Sequence, residues 1–253
     1  MQKNTDFPTE EVTLPSKGLL YPPESNIKNG IIEMKYMTAK EEDILTNANL
    51  IKNGTVLDKL LQSLIVTKID YNDLLVGDKN AIMIASRILG YGSNYTWKAK
   101  HPETGEAEEI TYDITALVDK ELDESLILEG KNEFEFTLPT SNKRLTFKIL
   151  THGDEKALEQ ELKGLKKIGK QSAELTTRLK HTIISIDSNY ENKDIREFVD
   201  TRLLAIDSRA LRKYIQKISP DVDLNIQYEY SDGFAEESEL PLGVNFFWPD
   251  ANI

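Results

Sequence analysis

The sequence contains no cysteine among its 253 residues. Disulfide bonds, thiolate metal sites, iron–sulfur clusters and cysteine nucleophiles are therefore excluded. Histidine is almost as scarce: the three histidines, His101, His152 and His181, lie far apart and lack the i, i+4 spacing of a helical zinc site. We therefore predict no metal site and no cofactor.

The motifs of common catalytic and nucleotide-binding sites are also missing. The sequence has neither the Gly-x-Ser-x-Gly of a nucleophile elbow nor the Gly-x-x-x-x-Gly-Lys-Ser/Thr of a phosphate loop. Its glycine-rich turn at residues 90–93 follows a predicted helix, so it cannot direct helix N–H groups at a phosphate. Acidic residues are abundant, but no pair is marked out for acid–base catalysis. These absences indicate a binding protein without catalytic residues rather than an enzyme.

Long apolar runs are absent as well. No run approaches the roughly 18 residues that a membrane-spanning helix needs, and residues 1–10 lack the apolar stretch of a secretory signal. We therefore expect a cytosolic chain without stable membrane insertion.

Basic residues are few relative to acidic ones. The chain has 31 Lys and Arg against 43 Asp and Glu, which gives a net charge of −12. The basic cluster at residues 163–170 lies within a charged helix, so we expect no nucleic acid as a direct partner. Two explanations of the acidity stay open: it keeps the chain soluble, or it attracts a basic protein partner.

The residues that are present are typical of a globular protein, with 39% hydrophobic and 29% charged residues. Apolar residues recur at helical spacing in residues 56–65, 81–89, 158–168, 195–202 and 211–218. Residues alternate as in strands at 31–37, 95–100, 108–114, 133–138, 145–150 and 224–230. These patterns predict an α+β fold, with a helical body, two or three antiparallel β-hairpins and an extended N-terminal arm.

This pattern suggests three parts. Residues 1–30 form the extended arm, and residues 31–118 form a helical unit plus the first hairpin. Residues 119–253 contain a strand pair, a second helical unit and a C-terminal hairpin. We expect the boundaries between the three parts after residues 30 and 118.

Short motifs predict where some helices begin and end. Thr38, with Glu41 three residues later, has the spacing of a capping box. Thr55 is expected to cap the next helix, and the following helix is expected to begin at about Asp78 and to end at Gly90 or Gly92. Leu175 and Leu179 predict that the chain continues as a helix toward Ile183.

Two stretches are candidates for partner contact. Proline and glycine near residues 14–23 predict turns and an extended path, so this arm packs along its own domain or reaches a neighbour. Consecutive aromatic residues at 246–248 would leave one face exposed if they formed a strand, unless the tail docks onto its own core. The partner-binding candidates are Leu14, Pro15, Gly18, Tyr21, Pro22, Phe246, Phe247 and Trp248.

Several stretches together resemble the baseplate protein family of T-even-like phages, in its hub assembly group. They are residues 14–18 with Tyr21-Pro22, residues 37–45, Gly54, Leu57, Leu60-Leu61, and residues 74–81, 84–92 and 246–249. Their order and spacing carry the resemblance, which covers residues 13–114 and the C-terminal end. Residues 120–220 contribute little to it.

The resemblance implies a role in building the baseplate hub. The expected partners are other phage baseplate hub proteins, and the expected location is the host cytoplasm during assembly, or the virion baseplate. An assembly factor is the first hypothesis, a permanent structural subunit the second, and a hub-associated hydrolase the third. The sequence leaves the oligomeric state open.

The sequence departs from the resembled family at the two hairpins. Many members of that family carry cysteine pairs there that suggest bound zinc, whereas this chain has His101 and Asp232 at the two turns and no cysteine. We therefore expect the packing of Trp97 and Tyr228 to hold the hairpins together in place of a metal.

Overall fold

The structure, a computed structural model, describes residues 8–169 and 173–247. Within those residues the predicted α+β class is confirmed, with eight α-helices and nine β-strands. The helices are α1 (Ala39–Leu45), α2 (Ala48–Lys52), α3 (Val56–Leu64), α4 (Val76–Tyr91), α5 (His152–Lys167), α6 (Glu174–Thr182), α7 (Asn192–Thr201) and α8 (Ala205–Ile218). The strands are β1 (Thr9–Thr13), β2 (Ile31–Lys35), β3 (Asn94–Lys100), β4 (Ala107–Asp113), β5 (Phe134–Thr137), β6 (Arg144–Phe147), β7 (Ile183–Ile186), β8 (Asn225–Glu229) and β9 (Ala235–Glu239). None of the described helices is both long enough and apolar enough to cross a membrane.

The strands form small antiparallel sheets. β1 pairs with β2, β3 with β4, and β8 with β9, while β5, β6 and β7 form a three-stranded sheet in that order. The helical pattern toward Ile183 stops at Thr182, where α6 ends, and the sequence did not predict the strand β7 that follows and pairs with β6. The β-branched residues Ile183 and Ile184 favour a strand, and pairing with β6 buries alternate side chains.

Local motifs position the N-terminal helices as predicted, with small differences. The Glu41 carboxylate accepts hydrogen bonds from the N–H (3.1 Å) and hydroxyl (2.6 Å) of Thr38, which confirms the capping box. Thr55 precedes α3, although its side chain makes no cap hydrogen bond. The helix α4 begins at Val76, two residues before the predicted start, and ends at Tyr91, where Gly92 caps it with a φ of 84°.

One continuous hydrophobic core joins the helices to the sheets. It contains Leu14 from the N-terminal part and Phe247 from the C-terminal part. In the three-stranded sheet, Phe147 stacks on Phe134 at 5.6 Å and meets Tyr214 of α8 edge to face at 6.0 Å. The core therefore fixes the relative positions of both chain ends that sequence reasoning proposed as contact sites.

The two hairpins β3–β4 and β8–β9 pack on each other around a smaller core of Ala99, Ile110 and Tyr230. Trp97 and Tyr228 meet edge to face, with ring centroids 5.2 Å apart, as the sequence predicted. We call this pair of hairpins the two-hairpin unit.

Candidate interaction surface

Residues 14–30, which follow β1, fold back on themselves against the body of the chain. The N–H of Leu14 donates to the carbonyl of Gly30 (2.8 Å). A Cβ atom on Gly18, whose φ is +78°, would lie 2.3 Å from the carbonyl oxygen of Lys28. The segment is therefore a tightly closed loop, and glycine at position 18 is what permits the close approach.

The structure places the eight predicted contact residues in different surroundings. Pro22 is exposed, and Trp248 lies outside the described residues. The other six are buried within the chain: Leu14, Pro15, Gly18, Tyr21, Phe246 and Phe247. Packing within the chain accounts for these six, so Pro22 is the one described candidate that a partner can reach in this conformation. A role of the eight in binding stays a prediction.

Phe246 ends a short 3₁₀ turn, Val244–Phe246, and Phe247 follows it directly, so neither lies in a strand. The ring of Phe246 packs against Tyr95 of β3 at 5.2 Å and against Phe247 at 5.8 Å. Each of the two phenylalanines is 1% exposed. A strand would point them in opposite directions, whereas the turn lets both enter the core. Of the two alternatives that the sequence left open, the structure shows docking onto the chain's own core for these two residues.

Asp78, in the first turn of α4, holds residues 14–30 in place. Its carboxylate accepts hydrogen bonds from the N–H (2.9 Å) and hydroxyl (2.6 Å) of Ser16 and from the hydroxyl of Tyr21 (2.6 Å). The Tyr21 oxygen in turn accepts from the N–H of Leu75 (3.0 Å). Burial raises the pKa of the Asp78 carboxyl above its usual value, although hydrogen bonds from Ser16 and Tyr21 oppose that shift.

Beside Pro22 lies an open cleft of about 480 Å³, between residues 20–27 and the short 3₁₀ helix Tyr71–Asp73. Its apolar lining includes Leu20, Ile27 and Ile69, and its polar lining includes Lys68, Asp70 and Asp73. Such a cleft suits an apolar side chain of a partner, with polar groups around it. Pro22, the exposed residue among the described contact candidates, therefore lies at the edge of a concave surface.

A compact group of ionisable side chains joins α3, α4 and α5. Asp58 accepts hydrogen bonds from the ammonium of Lys79 (2.8 Å) and the hydroxyl of Tyr71 (3.2 Å), and its other oxygen lies 3.4 Å from Nε2 of His152. Nδ1 of His152 lies 3.1 Å from the Lys79 nitrogen. Because an ammonium only donates, Nδ1 accepts, and the ring proton is on Nε2, toward Asp58. These groups satisfy one another, and they tie three helices together.

We expect Asp58→Asn to weaken the fold at neutral pH much more than at acid pH. Burial raises the pKa of the Asp58 carboxyl, but hydrogen bonds from His152 and Lys79 and the charge of Lys79 outweigh burial and bring this pKa well below its usual range. The carboxylate therefore stabilises the fold fully above its unfolded-state pKa of about 4, and this contribution is lost as the pH falls through the folded-state pKa.

Urea unfolding at pH 7 and at pH 2.5 measures this difference. The Asp58→Asn variant should lose about 2 kcal/mol at pH 7 and clearly less at pH 2.5. As a control, Asp43→Asn on the exposed side of α1 should change stability equally at both values. Equal losses for Asp58→Asn at the two pH values would contradict the role assigned to its ion pairs.

Each remaining histidine is held by its neighbours. His101 packs against the rings of Tyr230 (4.6 Å) and Phe234 (5.0 Å) in the two-hairpin unit. His181 lies 3.0 Å from the carboxylate of Glu161. Across residues 8–169 and 173–247, no three His, Asp or Glu side chains are grouped so that they could hold a metal ion.

Sequence reasoning missed the two features that organise this region. Asp78 was seen only as the start of a helix, although its partner Ser16 lies 62 residues earlier in the chain. The Asp58 group brings together side chains from positions 58, 71, 79 and 152, and no sequence spacing announces it. Only the tertiary fold makes either contact visible.

Comparison with known proteins gave one match. A family model described as T4 bacteriophage base plate protein matches residues 8–248 of the chain. The matched region includes every helix and strand given above. Neither the comparison with curated proteins nor the comparison with solved structures gave a match.

Proposed function

The chain belongs to the T4 bacteriophage base plate protein family, and from this premise we propose that it is an assembly factor of the baseplate hub. It binds other phage hub proteins in the host cytoplasm while the tail is built. The observation that carries the proposal is the family match itself, because it runs through nearly the whole chain and gives the protein a baseplate-related role.

The distribution of buried residues supports an assembly factor. Permanent subunit interfaces are large and hydrophobic, resembling a core cut in half. In this chain the apolar residues near both ends, such as Leu14 and Phe247, are 2% and 1% exposed within the chain's own core. The net charge of −12 suits a polar, salt-dependent contact that forms and dissolves. The protein is thus folded before it meets a partner.

A permanent structural subunit is the second candidate. The family description names a base plate protein, and this favours a place in the finished structure. In that case we expect a side chain of a neighbouring subunit to fill the cleft beside Pro22.

We propose further that the protein is not an enzyme. The support is that the most compact ionisable group, around Asp58, is occupied by contacts among its own members. Glycoside hydrolysis needs a free general acid and a partner carboxylate on either side of a substrate. A zymogram on bacterial cell wall should show no clearing by the purified protein, and a cleared band would overturn this part of the proposal.

Quantitative mass spectrometry of purified virions and of infected cells tests the main proposal. We expect the protein to be abundant in infected cells and well below one copy per virion, with other tail proteins as the internal standard. A stoichiometric amount in finished particles would rule out the transient role and favour the permanent subunit. Phage lacking the gene should fail to complete baseplates in either case, and normal baseplates would overturn both hypotheses.

A further inference from the structure

The β8–β9 hairpin has one covered face and one open face. The covered face packs on β3–β4, where the hydroxyl of Tyr230 donates to the carbonyl of Lys100 (3.2 Å). The open face carries exposed side chains from both strands, which are Asn225, Gln227, Glu229, Ala235, Glu237 and Glu239. Among the described residues nothing covers this face, so it is available to another molecule.

Within residues 8–169 and 173–247, the outer edge of β9 has no strand partner. Tyr230 pairs with the backbone of Phe234, and Leu240 with that of Leu224, through hydrogen bonds of 2.9 and 2.8 Å. In an antiparallel ladder bonded pairs alternate with non-bonded ones. The N–H and C=O groups of residues 235, 237 and 239 therefore point away from β8, and the described strands include no other partner for β9. This edge can accept an added strand.

The charge around this edge is one-sided. Residues 223–240 contain six acidic residues and no Lys or Arg, and residues 94–113 contain five acidic and two basic residues. The two-hairpin unit thus carries −9 of the chain's net charge of −12. Glu237 and Glu239 form no ion pair with a described residue, so their charge is not neutralised within the described chain.

The charge also selects the kind of strand that can pair. A second copy of β9 would place glutamate against glutamate, and like charges on neighbouring strands repel. A strand with Lys or Arg at alternate positions would instead place its cations beside Glu237 and Glu239, on the open face. The edge strand β1 also carries Glu10 and Glu11, but its two-stranded sheet contains Lys35, whereas the β8–β9 hairpin contains no Lys or Arg.

We propose that the free edge of β9 binds an extended segment of another baseplate protein that carries Lys or Arg at alternate positions. Backbone hydrogen bonds to residues 235, 237 and 239 provide the pairing, and the glutamates select the basic segment. This inference rests on the proposed protein-binding function and specifies the chemistry of the partner.

Fluorescence anisotropy with the full chain tests the charge requirement. The probe is a short labelled peptide that alternates lysine with threonine, titrated at low and at physiological salt. The double variant Glu237→Gln/Glu239→Gln should weaken binding about tenfold at low salt, whereas the matched exposed pair Glu11→Gln/Glu121→Gln should leave it within about twofold. Equal weakening by both pairs would mean that net charge alone attracts the peptide, and this would overturn the proposal.

Two further reagents test the strand pairing. The same peptide with N-methylated backbone amides keeps its charge but cannot pair, so it should not bind measurably. Glu237→Pro removes an outward N–H at an edge position that tolerates proline, and it should bind more weakly than Glu237→Gln alone. Equal binding of the methylated peptide would overturn strand addition. Thermal unfolding of each variant checks that the hairpin is intact.

Sedimentation velocity tests the other possible occupant of this edge, a second copy of the chain. We expect the chain not to self-associate through this edge. A dimer that dissociates in the double variant Glu237→Gln/Glu239→Gln would assign the edge to a second copy and overturn the proposal. If the peptide does not bind, the virion measurement still tests the role as an assembly factor. If the virion contains a stoichiometric amount of the protein, the peptide experiment still tests binding at the edge of β9. The two proposals therefore fail separately.

Discussion

Asp78→Ala should lower the free energy of unfolding by about 3–5 kcal/mol. The substitution removes the acceptor for three buried donors, the N–H and hydroxyl of Ser16 and the hydroxyl of Tyr21. Asp78 and Ser16 are 0% exposed and Tyr21 is 5% exposed, so water cannot replace the carboxylate. An unsatisfied buried donor costs far more than a hydrogen bond contributes, and here several donors lose their acceptor at once.

A matched variant separates burial from hydrogen bonding as such. Asp123→Ala also removes an acceptor for an N–H (3.2 Å) and a hydroxyl (2.6 Å), both on Ser125, but at an exposed 3₁₀ turn. Water can serve these donors, so the loss should stay below about 1 kcal/mol. Urea unfolding at pH 7, followed by tryptophan fluorescence, measures both variants. Similar losses of unfolding free energy for the two variants would show that water can replace the Asp78 carboxylate, and this would contradict the role assigned to its burial.

The same substitution should loosen residues 14–30 before the rest of the chain unfolds. These residues form the wall of the cleft that contains Pro22, and Asp78 ties them to α4. Local opening should speed tryptic cleavage after Lys17 and Lys28, which are already exposed. Unchanged cleavage in a folded Asp78→Ala protein would mean that the closed loop, and not Asp78, fixes the segment.

The sequence predicted those parts of the fold that depend on neighbouring residues. The capping box of Thr38 and Glu41 needs contacts only three residues apart, and alternation over residues 95–114 was enough to predict β3 and β4. The strand β7 was missed because its four residues follow α6 directly and it becomes a strand only by pairing with β6. Tertiary pairing overrode the local helical pattern there.

The interaction surface could not be predicted from the sequence for the same reason, because it too depends on tertiary contacts. Turn residues such as Gly18 and aromatic residues such as Phe246 were recognised as special, but pattern alone does not say whether such residues face a partner or the chain's own core. The strand β9, with sequence AEESE, lacks β-branched and aromatic residues. It forms a strand because β8 and the turn at Gly233 bring it into register. The edge it offers was therefore not predictable from local pattern.

Gly77→Ala should destabilise the protein by about 3 kcal/mol or more, although alanine is the better helix former. Gly77 is the second residue of α4, and a Cβ there would lie 1.9 Å from the carbonyl oxygen of Pro220 and 2.8 Å from the Cα of Asp221. Both are backbone atoms, so no rotamer change relieves the overlap. Relief requires α4 to move away from the segment after α8, which breaks the hydrogen bond from Asn80 to Asp221 (3.0 Å).

Gly164→Ala in α5 is the matched control, because it is also a helical glycine and nothing lies within 4 Å of its added Cβ. It should stabilise the protein by about 0.5–1 kcal/mol through helix propensity alone. The two variants share one chemical change and should shift the midpoint of thermal unfolding in opposite directions. A neutral Gly77→Ala would mean that α4 and residues 220–221 are not in close contact in solution. Since residues 220–221 lead directly into β8, the same displacement should also weaken peptide binding at the edge of β9, which links this packing contact to the proposed interaction.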